Sequence, residues 1–202
     1  MRALRGKGDQ GLQEELKQLD AFLADVQGRA FRMAMASLRE RDDALDAVQE
    51  AMFKLVEKYR NKPAGEWAPL FYKILYSRIT DIQRRRARSG KIFGTFFGRT
   101  AQGEEPAEEL MSTFRDPAEP DPMRFGDDEK FGEALDQALA QLPGRQRQAF
   151  MLRAWEGLDV AQTASAMGCG EGSVKTHYSR ARQFLQRTLA DFVEPEVHAK
   201  HL

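Results

Sequence analysis

Two sets of side chains in this sequence have the types and spacing to bind nucleic acid. Ser173, Lys175, Thr176, Ser179, Arg180 and Arg182 are all short hydroxyls or long cations. Hydroxyls donate and accept, while guanidinium forks and ammonium groups neutralise phosphate, so the set suits phosphates and base edges. The second set, Tyr72, Lys73, Tyr76, Ser77, Arg84 and Arg85, interleaves rings with cations. Stacking rings beside phosphate-neutralising side chains is how proteins hold single-stranded nucleic acid. Each set also has a plainer reading. A helical hairpin commonly carries a solvated basic face, and aromatics in helices commonly pack in the core. Bond-making chemistry has less support. The sequence has no glycine-rich phosphate loop and no metal-ligand cluster, and its three histidines, His177, His198 and His201, share a site only if the tail folds back. No catalytic residue, cofactor or metal is expected.

The first set must be positioned by the stretch Leu158 to Leu185, which splits at Gly168-Cys169-Gly170. Val160, Ala164 and Met167 fall at helical spacing before the split, and Val174, Tyr178, Ala181 and Leu185 after it. Each short helix therefore has one buried stripe. Glycines near the junction can take left-handed dihedrals, so a tight turn can set the helices at a steep angle as a helix-turn-helix, with the second helix outward as the reader. Glu171 sits in its first turn, where the helix dipole tolerates an anion.

The second set lies in a segment, about Leu12 to Ser89, that reads as several helices with almost no strand pattern. Phe22, Val26, Ala30 and Met33 follow helical spacing. After a polar break at Arg39-Glu40-Arg41-Asp42, a second stripe comprises Ala44, Val48, Ala51, Met52 and Leu55, leaving Asp43, Asp46, Gln49 and Glu50 mostly on other faces. A loop broken by Pro63 and Gly65 follows. In the next helix Leu70, Phe71, Ile74, Leu75, Ile79 and Ile82 can face the core, with Tyr72, Lys73, Tyr76, Ser77, Arg84 and Arg85 reaching outward.

Basic and acidic side chains each total 31, yet the charge is segregated: residues 1–100 carry a balance of +7, residues 101–130 one of −7, and the remainder is neutral. The middle segment, Gly90 to Lys130, is rich in proline and glycine and reads as a flexible acidic linker, with one apolar patch at Ile92-Phe93 and Phe96-Phe97. The boundaries expected are a flexible tail over 1–11, a helical domain over 12–89, a linker over 90–130, a second helical domain over 131–194 and a tail over 195–202. The single Cys169 allows no internal disulfide and is expected to pack in the turn, which suits a reducing cytosol. No run approaches the length of a membrane span and the amino terminus lacks an apolar signal core, so the expected location is cytoplasmic, without membrane insertion.

The fuller string LPGRQRQAFMLRAWEGLDVAQTASAMGCGEGSVKTHYSRAR closely resembles region 4 of the sigma-70 family of RNA polymerase sigma factors, in its extracytoplasmic-function (ECF) branch. The resemblance rests on Leu142-Pro143, Gly157-Leu158, Gly168, Gly172-Ser173-Val174-Lys175-Thr176 and Arg180-Ala181-Arg182. Asp-Ala-x-Asp-x-x-Gln-Glu, followed by Phe53, resembles region 2.2, and WAPLFYKILYSRITDIQRRRAR resembles regions 2.3 and 2.4. The resemblance implies an all-α protein of two small helical domains, sigma region 2 and sigma region 4, joined by the acidic linker. It implies a factor that binds core RNA polymerase and directs transcription initiation at promoter DNA. Asp46, Gln49 and Glu50 would then dock on the β′ coiled coil. Arg153, Ser173, Lys175, Thr176, Ser179 and Arg180 would engage the −35 element. Asn61, Lys62, Tyr72, Lys73, Tyr76, Ser77, Arg84 and Arg85 would engage the −10 element, and the loop Asn61 to Pro69 would correspond to a pocket for an extruded base. The family usually has asparagine where this chain has Ser77, so only a shorter, single contact is expected there. The family's linker passes through the polymerase cleft. Free members are often held by an anti-sigma protein, which no residue here identifies. The alternative is a stand-alone helix-turn-helix regulator acting without polymerase, which would account for Leu158 to Leu185 but not for the first domain.

Overall fold

The computed structural model of the chain describes residues 6–88 and 129–192. Among these it contains helices and turns and no strand, in agreement with the all-α expectation, and the chain divides into two compact units. Most of the expected linker, with its apolar patch, and the C-terminal tail lie outside the described residues; Glu129 and Lys130, expected in the linker, begin the helix Glu129–Gln141.

The first unit is built from α1 (Gly6–Leu38), α2 (Arg41–Tyr59) and α3 (Ala64–Arg88), each packed on the other two. The first helix begins at Gly6, inside the segment expected to be a tail. Leu19, Val26, Ala30 and Met33 are buried as their spacing predicts, whereas Phe22 is half-buried and meets Trp67 and Phe71 of α3 at ring distances of 5.9 and 6.1 Å. On α2 the buried stripe is Ala44, Ala47, Val48, Ala51 and Leu55, with Met52 only half-buried. Three alanines in that stripe let the helices approach closely, while fully burying each larger side chain contributes about 1.5–3 kcal/mol.

Two expectations for α3 are corrected. Tyr72, expected to reach outward, is fully buried and packs edge-on against Phe71 at 5.2 Å. The reason is that α3 contacts both α1 and α2, so it buries a wider arc than the one stripe its periodicity suggests. The expected loop to Pro69 is also shorter: the connection is Arg60–Pro63, and Ala64 already begins the helix. Trp67 and Pro69 are therefore core residues, and Asn61, Lys62 and Pro63 of the loop assignment remain as exposed loop side chains.

The corner between α1 and α2 turns at Arg39, whose φ of 58° is left-handed. This costs a non-glycine residue roughly 1–2 kcal/mol. Its N–H donates to the Met35 carbonyl at 2.9 Å, closing the end of α1. From α3, Gln83 Nε2 donates to the Ser37 carbonyl at 2.9 Å and Arg86 Nη1 to the Leu38 carbonyl at 2.8 Å. Arg86 Nη2 also pairs with Asp43 in the first turn of α2. One guanidinium thus serves the negative end of one helix dipole and an acid at the positive end of the next.

The second unit contains α4 (Glu129–Gln141), α5 (Gly144–Phe150) continuing into a π-turn (Met151–Trp155), α6 (Val160–Met167) and α7 (Glu171–Thr188), ending in a 3-10 turn (Ala190–Phe192). Leu142-Pro143 separates α4 from α5. Leu135, Leu139 and Leu142 are buried, with Ala149, Phe150, Met151 and Leu152 following. Both α4 and α5 pack on α7, whose Val174, Ala181 and Leu185 are buried.

Candidate nucleic-acid interface

The helix-turn-helix is set by its joints. Asp159 and Gln162 form a reciprocal cap at the start of α6: the Gln162 N–H donates to Asp159 Oδ1 at 2.7 Å and the Asp159 N–H to Gln162 Oε1 at 3.0 Å. Thr163, fully buried, donates its hydroxyl to the Asp159 carbonyl at 2.7 Å. Gly157 and Gly168, at φ of 64° and 62°, bracket the helix. No atom lies within 4 Å of a Cβ built on either, so glycine serves the dihedral and not the space. Of the glycines at the junction only Gly168 is left-handed, since Gly170 is extended at φ −73° and caps α7. Cys169, between them, is half-buried, and burial pushes its thiol up.

On α7, Lys175 and Arg180 are exposed, while Ser173, Thr176 and Ser179 are half-buried beside them. Thr176 donates its hydroxyl to the Gly172 carbonyl at 3.0 Å, so that hydroxyl is left to accept. The opposite side of the helix carries a ring cluster. Tyr178 stacks on Phe150 at 6.1 Å, with the guanidinium groups of Arg153 and Arg182 5.7 and 5.9 Å from its centroid. Arg153 also donates to the Leu158 carbonyl at 2.5 Å. The structure thus ties this half-buried cation to the joint before α6, unlike the exposed Lys175 and Arg180.

His177 was not singled out for the interface by sequence. It is half-buried on α7, and its buried Nδ1 has no hydrogen-bond partner. Burial, followed by the charges of Arg145 and Arg180, holds the imidazole below its ordinary 6.5. The unfolded chain therefore takes up a proton where the folded chain resists it, and stability should fall as pH drops below about 6.5 until the folded value is passed. Urea titrations at about pH 7.5 and pH 5.5 should show this loss, and His177→Gln should flatten it. An equal loss in the variant would assign the pH dependence to other groups.

In the first unit, Lys73, Ser77, Arg84 and Arg85 are exposed and Tyr76 is half-buried. They are joined by two residues that sequence reasoning did not assign to this face. Lys54 and Lys58 of α2 line a groove of about 270 Å³ together with Lys73, Ser77, Arg78 and Asp81 of α3. Their spacing of four on α2 put them on one face, but only the packing of α2 on α3 turns that face toward Lys73.

The other face of α2 exposes Asp46 and Gln49, with Phe53 next along the stripe at 67% exposure, an unusual position for a phenyl ring. Glu50 does not share that face. Its Oε2 lies 2.6 Å from Arg78 Nε and its Oε1 2.8 Å from Lys54 Nζ. Asp46, while exposed, also borders α3, lining a groove with Arg78, Ile82, Arg85 and Arg86, so of the three only Gln49 has no α3 neighbour of this kind. Among the described residues no cluster of His, Cys, Asp or Glu could hold a metal ion, and no helix is long and apolar enough to cross a membrane.

Residues 132–185 match the family description Sigma-70, region 4. Across most of its length the chain is 28% identical, over 182 residues, to the ECF RNA polymerase sigma factor SigE of Mycolicibacterium smegmatis, covering 89% of this chain and 65% of that protein. It is 28% identical over 160 residues to the RNA polymerase sigma factor SigV of Bacillus subtilis, covering 77% and 81%. Among solved structures it resembles the sigma factor RpoE of Bartonella quintana in complex with the anti-sigma factor NepR, with a TM-score of 0.55, 25% identity and coverage of 88% and 95%. A helix-turn-helix matching region 4, behind a three-helix unit also covered by these relatives, makes this chain a member of the sigma-70 family. Within the family it belongs to the extracytoplasmic-function branch.

Proposed function

We propose that this chain binds core RNA polymerase and directs promoter-specific initiation, with residues 12–89 acting as region 2 and residues 131–194 as region 4. The observation that carries the reading is the outward pair Lys175 and Arg180 on α7, inside the segment that matches region 4. In this reading α7 enters the −35 major groove, with Ser173 and Ser179 within reach of the backbone and Thr176 accepting. Arg153 acts by holding the turn. The exposed cations of α3, with Lys54 and Lys58, hold the melted −10 strand. Asp46, Gln49 and Phe53 meet the β′ coiled coil. Residues 90–130 act as the linker through the polymerase cleft. The chain works in the cytoplasm without chemistry of its own, and an anti-sigma protein such as the one bound to RpoE is a candidate partner.

Run-off transcription with reconstituted holoenzyme across genomic fragments tests the reading, and a stand-alone regulator would neither bind core polymerase stoichiometrically nor start transcripts with it. On a promoter found this way, Lys175→Ala and Arg180→Ala should each weaken −35 binding. A good base contact contributes about 1–3 kcal/mol, so a loss of roughly five- to a hundredfold is expected. A normal −35 footprint for both variants across a salt series would remove α7 as the reader.

A further inference from the structure

Within the docking motif Glu50 makes a bridge between two helices, and what it touches is informative. Its carboxylate bridges two cations from different helices, Lys54 at 2.8 Å and Arg78 at 2.6 Å, and both cations line the groove that also carries Lys58 and Lys73. Distances of this kind are those at which a phosphate oxygen meets an ammonium or guanidinium group. The side chains are partly exposed, at 29% for Glu50, 42% for Lys54 and 22% for Arg78; the Arg78 Nε that faces Glu50 is itself buried, so a ligand reaches the bridge from the Lys54 side and meets the rest of the Arg78 guanidinium. Ion pairs of this exposure contribute little and exchange readily. Ser77 and Ile74 complete the wall, giving the groove a polar and an apolar surface beside its charges.

We propose that Lys54 and Arg78 form a phosphate site for single-stranded nucleic acid, and that the Glu50 carboxylate occupies this site in the free chain as an internal stand-in for phosphate. A strand entering the groove exchanges Glu50 for one of its own phosphates on each cation. Glu50 thereby lowers the affinity of the free chain for single strands at large, and it favours a strand whose neighbouring contacts, at Lys73 and Ser77, offset the exchange. The Lys54 hydrogen bond, and then the charges of Arg78 and Arg85, hold the Glu50 carboxyl below the usual carboxylate range, so the mask is ionised at neutral pH. The inference rests on the reading of α3 as the platform for a melted strand.

The test measures binding of the full chain to a fluorescent oligodeoxythymidylate over a salt series. Glu50→Gln should bind about three- to tenfold more tightly than the unaltered chain at low salt. Its dependence of log affinity on log salt should stay close to that of the unaltered chain, because the strand neutralises the same phosphates once Glu50 is displaced. Adding Lys54→Ala and Arg78→Ala to Glu50→Gln should abolish the gain. Thermal melts establish that each variant is folded, and Glu50→Asp, which keeps the charge but shortens the reach to both partners, should show a smaller gain in the same direction. An unchanged affinity in Glu50→Gln, or a gain that survives loss of both cations, overturns the mask. So does a Glu50→Gln chain with unaltered oligonucleotide binding and weakened affinity for core polymerase, which would return Glu50 to the docking surface. The platform reading fails separately, if Lys73→Ala combined with Arg84→Ala binds the oligonucleotide as well as the unaltered chain does.

Discussion

Asp46→Arg is expected to lower affinity for core RNA polymerase by about a hundredfold, and Phe53→Ala by at least tenfold. Asp46, Gln49 and Phe53 form one exposed stripe on α2, and none of them belongs to the buried stripe that holds α2 in its unit. Reversing a charge at the centre of an interface with a basic surface costs several kcal/mol, and truncating an aromatic anchor commonly costs about 2 kcal/mol or more. At about 1.4 kcal/mol per tenfold, these are the stated losses. Competition for core enzyme against a labelled reference measures them, with circular dichroism to establish that α2 is intact. If both variants compete as well as the unaltered chain, the exposed stripe of α2 is not the docking surface.

Leu185→Ala should remove about 2–5 kcal/mol of stability, the range for deleting a buried leucine side chain and leaving a cavity. Leu185 is 2% exposed on α7, on the side of the helix that packs toward α4 and α5. Because α7 is held by that side, the same change should reduce DNA binding although Leu185 is remote from the exposed face. Denaturant titration followed by far-ultraviolet circular dichroism gives the stability, and a loss below about 1 kcal/mol would mean that the site collapses around the smaller side chain.

The helices of both units were legible because their apolar residues recur at helical spacing, and Val26, Ala30, Met33, Val174, Ala181 and Leu185 are buried as that spacing requires. What escaped was set by partners distant in the chain. Tyr72 has the composition of an outward ring, and only simultaneous packing on α1 and α2 makes it core. Glu50 sits in a motif that suggests a partner surface, but its bridge reaches Arg78 on another helix, a pairing no local spacing encodes. Arg153 carried a charge that suggested DNA, while the Leu158 carbonyl and the Tyr178 ring that engage it become neighbours only once the turn has formed. Lys54 and Lys58 were visible as residues but not as a set with Lys73, because the groove exists only between two packed helices. Periodicity thus gives which face is buried, and long-range pairing decides what the remaining faces meet.

The two left-handed glycines that bracket α6 separate geometry from vocabulary. Gly157 and Gly168 supply the left-handed dihedrals at the two ends of α6, with open space around both, while the buried side of α7 packs on α4 and α5. The direction of α7 is thus independent of which side chains its exposed face displays. Substitutions at Lys175, Ser179 or Arg180 can redirect sequence preference one base at a time while the frame persists, so promoter choice can drift in small steps. A change at either glycine shifts every contact of the reader at once.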